Sequence, residues 1–87
     1  MQSRATKGFW RLYRQLPRNI RKSAKRAYVM WKMDPQYAAL HFKRLNTKEP
    51  MYSIRVGLHY RALGLFEGDT IYWFWIGTHA DYDTLIR

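Results

Sequence analysis

The stretch Tyr60-Arg61-Ala62-Leu63-Gly64-Leu65-Phe66, then Glu67-Gly68-Asp69, then Thr70-Ile71-Tyr72-Trp73-Phe74-Trp75-Ile76 decides the fold. The first segment reads as a strand and the second as a tight turn. The third carries too many large apolar side chains for an edge strand, which predicts a central strand covered on both faces. Beyond it, Gly77-Thr78-His79-Ala80-Asp81-Tyr82-Asp83 turns polar. Residues 79–86 are expected as a short C-terminal helix or an ordered tail. Side chains there are held by a rigid strand yet stay open to a partner.

Working back along the chain, Tyr52, Ile54 and Val56 share one face of a preceding strand, with Met51, Ser53 and Arg55 on the other. Gly57-Leu58-His59 is a short hairpin loop, and Asn46 to Pro50 is a longer one. Leu40 to Leu45 also alternates, Leu40, Phe42 and Arg44 against His41, Lys43 and Leu45, and reads as a further strand. Upstream the period lengthens. Phe9, Leu12, Tyr13 and Leu16 stand at i, i+3, i+4 and i+7, one face of a helix. Pro17 suits the first turn of a second helix, in which Ile20, Ala24, Ala27, Tyr28 and Trp31 form the apolar stripe. That helix should end near Met33, because the residue before Pro35 is disfavoured in the α region. The expected architecture is α+β: one domain over residues 1–87, with two N-terminal helices packed on one face of a mostly antiparallel four-stranded sheet.

An 87-residue chain buries only about 60% of its extended-state surface, leaving little room for a deep cofactor pocket. Aromatic residues make up 17% of it, so each buried side chain contributes a large area. The absence of cysteine excludes a disulfide framework or a thiolate metal site, and suits a reducing cytoplasm. No apolar run is long enough for a membrane span, and no apolar segment follows the first basic residues as a signal peptide would require. The net charge is +10 and is unevenly placed. Residues 1–33 hold Arg4, Lys7, Arg11, Arg14, Arg18, Arg21, Lys22, Lys25, Arg26 and Lys32 with no acid, whereas the remainder balances to zero. Such a one-signed field attracts polyanions, chiefly nucleic acid, or an acidic protein. Arg18, Arg21, Lys22, Lys25 and Arg26 on the second helix, with Lys43 and Arg44, are therefore the candidate RNA contacts.

A three-residue loop at Gly57-Leu58-His59 pairs Val56 with Tyr60 and Arg55 with Arg61. Like charges directly opposite are unfavourable in a sheet. The same placement makes a two-guanidinium clamp suited to a phosphate. His79 can act as general acid or base near neutral pH, and Tyr82 can donate to a phosphate oxygen or stack on a base. Asp81 and Asp83 flank Tyr82 and would favour a helix N-terminus. His41, His59 and His79 lie in separate elements without ligand spacing, so neither a metal ion nor a cofactor is expected.

Two basic helices, a hairpin ending in Tyr60-Arg61, a strongly apolar last strand and the Gly77-Thr78-His79-Ala80-Asp81-Tyr82 tail together resemble the RelE/ParE superfamily, the toxins of bacterial type II toxin–antitoxin modules. The resemblance spans about residues 5–86 and is most specific in 51–83. It implies a compact fold, an acidic antitoxin partner and, in the RelE branch, metal-independent cleavage of mRNA in the ribosomal A site. By position it gives Arg55, Arg61, His79 and Tyr82 the roles of orienting the phosphate, stabilising its charge and assisting proton transfer. Ser53 stands where RelE carries a second basic residue, and the N-terminal strand of RelE is not evident before Phe9. The ParE branch poisons DNA gyrase without this catalytic set. A ribosome-dependent endoribonuclease is thus the first expectation. A non-enzymatic gyrase inhibitor and a plain RNA-binding module are the alternatives.

Overall fold

The structure is a computed structural model that describes residues 1–87. In chain order the elements are β1 (Gln2–Ala5), α1 (Lys7–Arg14), α2 (Arg18–Met33), a 3-10 turn (Ala38–Leu40), β2 (Lys43–Arg44), β3 (Met51–Val56), β4 (Tyr60–Glu67), β5 (Thr70–Thr78) and α3 (His79–Leu85). They form one sheet of five strands in the order β1-β5-β4-β3-β2. The expected antiparallel run through β3, β4 and β5 is present, and β5 is internal. The fifth strand corrects the expected count of four. β1 pairs in parallel with β5, Gln2 opposite Thr70 through Ala5 opposite Trp73. Gln-Ser-Arg-Ala offers no apolar alternation; beside its backbone pairing, only Ser3, which hydrogen-bonds the Tyr28 hydroxyl, and Ala5, which packs on the core, face inward.

The 40–45 strand needs a second correction. Only Lys43 and Arg44 are paired, opposite Ser53 and Tyr52. The preceding residues close a 3-10 turn whose last carbonyls are followed by His41 in the left-handed region, φ 46°. That turn interrupts the extended backbone. The face assignment survives it: Leu40 and Phe42 join the helix-side core, whereas Leu45 packs on the opposite face.

Helix α1 starts at Thr6, whose hydroxyl accepts from the Phe9 backbone N–H at 3.1 Å, satisfying one of the orphan donors of the first turn. It stops before Pro17, and the Arg21 guanidinium donates to the free Leu16 carbonyl at 2.6 Å. Helix α2 then presents Ile20, Ala24, Ala27 and Trp31 to the sheet. Trp31 is 1% exposed and meets Trp73 edge-on at 5.5 Å between ring centres. Truncating so large a buried ring typically costs about 3–5 kcal/mol, so Trp31→Ala is the single change most damaging to this layer.

Strand β5 carries apolar residues on both faces for a visible reason. Leu63 pairs with Trp75 but Gly64 pairs with Trp73, so Phe74 is the extra residue of a bulge. Ile71, Trp73 and Ile76 therefore point to the α1/α2 side, while Phe74 and Trp75 pack with Leu45, Leu63 and Tyr82 on the other. Gly64 permits this crossing: a Cβ there would sit 2.8 Å from both Ile71 and Trp73. Between α1, α2 and the sheet remains an apolar cleft of about 700 Å³, lined by Phe9, Trp10, Tyr13, Tyr28, Trp31 and Trp73 and edged by Arg4 and Lys25. The small helix α3 covers the opposite face, and that face carries the candidate site.

Candidate active site

Two strands and one short helix build the site. The β3–β4 hairpin places Arg55 directly opposite Arg61, in the register read from the loop length. Period-two alternation puts both on the face that α3 covers, beside Ser53 and Leu63. The two arginines are nonetheless differently disposed. Arg55 is half-buried near the hairpin end, and its Nε–H donates to the Gly57 carbonyl at 3.0 Å. Arg61 is 5% exposed, and its Nη2 donates to Ser53 Oγ at 2.9 Å and to the His41 carbonyl at 3.2 Å. The Arg61 Nε–H is buried without a partner. The guanidinium lies over the Tyr82 ring, 5.1 Å from its centre.

Thr78 opens α3, its hydroxyl accepting from the Asp81 N–H at 3.1 Å. This cap sets the helix phase that turns Tyr82 inward and leaves His79 and Asp83 outside. Tyr82 is 3% exposed and its hydroxyl donates to Ser53 Oγ at 3.2 Å. The His79 ring meets the Tyr82 ring edge-on at 5.6 Å. His79 Nδ1 lies 3.1 Å from an Asp83 carboxylate oxygen, an i, i+4 pair exposed to solvent. The His79 N–H also donates to the His59 carbonyl at 2.7 Å, tying the start of α3 to the hairpin loop.

The four residues singled out from sequence therefore converge: Arg55 beside Arg61, Arg61 on Tyr82, Tyr82 against His79. They are not equally accessible. His79 is exposed and Arg55 is half-buried at the hairpin end, where it also lines a cleft with Arg26, Ala27 and Met30 of α2, whereas Arg61 and Tyr82 are buried. Burial pushes the Arg61 guanidinium below its ordinary pKa and the Arg55 charge adds to the lowering, while the Tyr82 hydroxyl and, more weakly, the Asp83 carboxylate oppose it. No carboxylate lies within ion-pair distance of either arginine, since the ion pairs of the structure are Met1 with Asp69 and His79 with Asp83. The site carries two cations held close together without a direct counter-charge. That is an arrangement able to take an anion.

The candidate RNA contacts divide in the same way. Arg18, Lys22, Lys25 and Arg26 are exposed along α2, and Lys43 and Arg44 are exposed on the edge strand β2. Arg21 is half-buried and committed to the Leu16 carbonyl. Two participants escaped the sequence reading. Ser53, a small neutral residue in the sequence, is fully buried and accepts from both Arg61 and Tyr82. Asp83 pairs with His79 at the surface, and its i, i+4 spacing is the sequence signal for that pair.

The fold has relatives among known proteins. The profile of the ParE-like toxin domain matches residues 18–84. No curated protein matches the sequence significantly. Among solved structures, the RelB–RelE antitoxin–toxin complex from Methanococcus jannaschii holds a chain 23% identical to this one, with 95% of this chain and 98% of that one covered and a TM-score of 0.74. The YoeB/ParE toxin from Agrobacterium tumefaciens is 14% identical over 91% of this chain and 99% of its own, with a TM-score of 0.70. The isolated RelE toxin from E. coli is 15% identical over 99% and 98%, with a TM-score of 0.68. At these identities the structures establish a shared fold, and the domain profile supplies the family: the chain belongs to the ParE-like toxin domain family, within the RelE/ParE toxin superfamily.

Proposed function

We propose that the chain is the toxin of a type II toxin–antitoxin module and cleaves mRNA on the ribosome, in the cytoplasm. The observation that carries this reading is the convergence of Arg55, Arg61, Tyr82 and His79 on one face without a carboxylate partner for either arginine. In the proposed reaction the ribose 2′-hydroxyl attacks its neighbouring phosphorus and the 5′-oxygen leaves. Negative charge grows on the phosphoryl oxygens. Arg55 meets it from the surface, and Arg61 acts from below, where reduced solvent screening strengthens its field. The exposed His79, with Nε2 unengaged, moves a proton to or from the 2′-hydroxyl or the leaving oxygen. Tyr82 keeps Arg61 and His79 in place. Neither a metal ion nor a cofactor enters the scheme.

The exposed cations of α2 and β2 hold the chain against rRNA and mRNA. They also supply the attraction for an acidic antitoxin, which lies across the basic helices or the active face and masks both. The solved RelB–RelE pair from M. jannaschii and the RelBE2 toxin–antitoxin complex from Mycobacterium tuberculosis are precedents for such a partner. The burial of Arg61 and Tyr82 favours a second reading, non-enzymatic inhibition of DNA gyrase in the manner of ParE toxins. One experiment decides between them. The chain is expressed in a bacterial translation extract, mRNA ends are mapped by primer extension, and gyrase supercoiling is assayed in parallel. New ends within translated codons support the ribonuclease, and loss of supercoiling with intact mRNA supports the alternative.

A further inference from the structure

We infer that Ser53 is a positioning residue of the site, through which the catalytic face is kept in register. It lies on β3, is wholly buried, and stands two residues from Arg55 on the same face. Two donors from different elements converge on its single hydroxyl oxygen: Arg61 Nη2 of β4 at 2.9 Å and the Tyr82 hydroxyl of α3 at 3.2 Å. Arg61 is held at three points, the Ser53 hydroxyl, the His41 carbonyl and the Tyr82 ring. Of these, Ser53 alone also fixes Tyr82. Helix α3 spans only His79–Leu85, and Tyr82 is its one buried residue. The hydroxyl that anchors Tyr82 therefore holds the body of α3 on the sheet, while the His79 N–H bond to the His59 carbonyl holds its start.

The residue type follows from the geometry. An ammonium at this position would repel the Arg61 guanidinium, and an aliphatic side chain would strand two buried donors. A hydroxyl accepts both. Ser53 is too deep to touch substrate, and the cations proposed to grip RNA lie on α2 and β2. Its removal should therefore act on turnover rather than on substrate affinity.

This inference rests on the ribonuclease reading for its kinetic arm and stands without it for its spectroscopic arm. Ser53→Ala, Ser53→Thr and Ser53→Cys are compared with the native chain. Arginine side-chain ¹⁵N–¹H spectra report Arg61 directly, because its guanidinium lies over the Tyr82 ring and is shifted by the ring current. The native chain should show one restricted, upfield-shifted arginine signal. Ser53→Thr, which keeps the oxygen, should preserve it. Ser53→Ala, and Ser53→Cys with its weak acceptor, should lose it while remaining folded by circular dichroism. In the ribosome cleavage assay Ser53→Ala should lower kcat about 100-fold, the usual penalty for misplacing reacting groups by an ångström, with KM little changed. Ser53→Cys separates a lost acceptor from a lost volume even if the threonine variant does not fold. An unchanged Arg61 signal in Ser53→Ala overturns the inference, as does a rise in KM at constant kcat. Native protein that cleaves no mRNA while the Arg61 signal still depends on Ser53 overturns the ribonuclease reading and supports the placement.

Discussion

Arg61 poses a conflict between stability and function that one substitution can expose. Arg61→Met keeps an unbranched side chain of comparable length but removes the charge. The native guanidinium makes two charge-assisted hydrogen bonds, to Ser53 and the His41 carbonyl, each worth about 1.5–3 kcal/mol, and its contact with the Tyr82 ring adds about 0.5–2 kcal/mol. Against them stand a buried cation with no carboxylate partner, a penalty of several kcal/mol even after relaxation, and a stranded Nε–H worth about 1–3 kcal/mol. Directly opposite lies Arg55, a like charge that adds a few tenths of a kcal/mol. After the change Ser53 still accepts from Tyr82, and the exposed His41 can turn its carbonyl to water. The opposing terms nearly cancel, with a small balance in favour of methionine. The expected gain is about 1 kcal/mol, or about 4–8 °C in Tm for a domain of this size. The sign of the pH dependence follows from the lowered Arg61 pKa. A cation whose folded pKa is depressed costs stability at every pH where it is charged in both states, and the cost fades only in strong alkali. The gain should thus be flat from about pH 5 to 9, since arginine stays charged throughout that range. Urea denaturation across this range measures it, beside growth arrest at equal expression. Growth arrest should disappear, reflecting a loss of roughly 100–1,000-fold in rate. A destabilisation beyond about 2 kcal/mol would refute the reasoning and make Arg61 a structural residue held by its hydrogen bonds.

Four further outcomes are expected. His79→Ala should abolish growth arrest while shifting stability by less than about 0.5 kcal/mol, because its pair with Asp83 is exposed; full toxicity of this variant would favour the gyrase reading. Asp83→Ala should remain toxic, since it removes only the exposed partner of His79, and its loss of toxicity would make Asp83 part of the machinery. Neutralising Arg18, Lys22, Lys25 and Arg26 together should flatten the salt dependence of RNA binding by about 0.7 in logarithmic slope per lost single-strand phosphate contact, read by filter binding from low to moderate salt; an unchanged slope would place the RNA elsewhere. Cleavage should persist in EDTA once the ribosomes' own magnesium requirement is met, and a loss reversed only by added transition metal would reject the metal-independent scheme.

The sheet was legible where side chains alternate between two environments. Tyr52, Ile54 and Val56 point one way and Ser53 and Arg55 the other, and a three-residue loop was enough to fix Arg55 opposite Arg61. β1 was illegible because its inward side chains, Ser3 against the Tyr28 hydroxyl and Ala5 against the core, are too small to make an apolar alternation. Strand β2 was overextended because a 3-10 turn with one left-handed residue preserves which face each side chain meets while ending the ladder. At the site the residues were legible as types and neighbours, but their depth was not. Arg61 and Arg55 look equivalent in sequence. Their difference comes from α3, whose docking through Tyr82 covers one arginine and leaves the other at the end of the hairpin.

The same depth difference bears on how such a site can be both built and used. A surface cation in water offers a phosphate little net attraction, because solvent and salt screen it. A buried cation offers more, but the fold must carry its desolvation. This chain divides the task. Arg61 is buried and immobilised on Ser53, the His41 carbonyl and the Tyr82 ring. Arg55, with its Nε bound to Gly57, keeps its remaining donors near the surface. An anion arriving at Arg55 would meet a field already oriented from beneath, with no side chain to reorganise at that moment. The stability of the opposite face makes this tolerable: Trp31, Ile71, Trp73 and Ile76 are each no more than 6% exposed there, and each large apolar side chain so buried contributes about 1.5–3 kcal/mol. The helix-side core can therefore hold a strained charge on the other face, and weakening that core through Trp31 should unfold the chain before it relaxes the site.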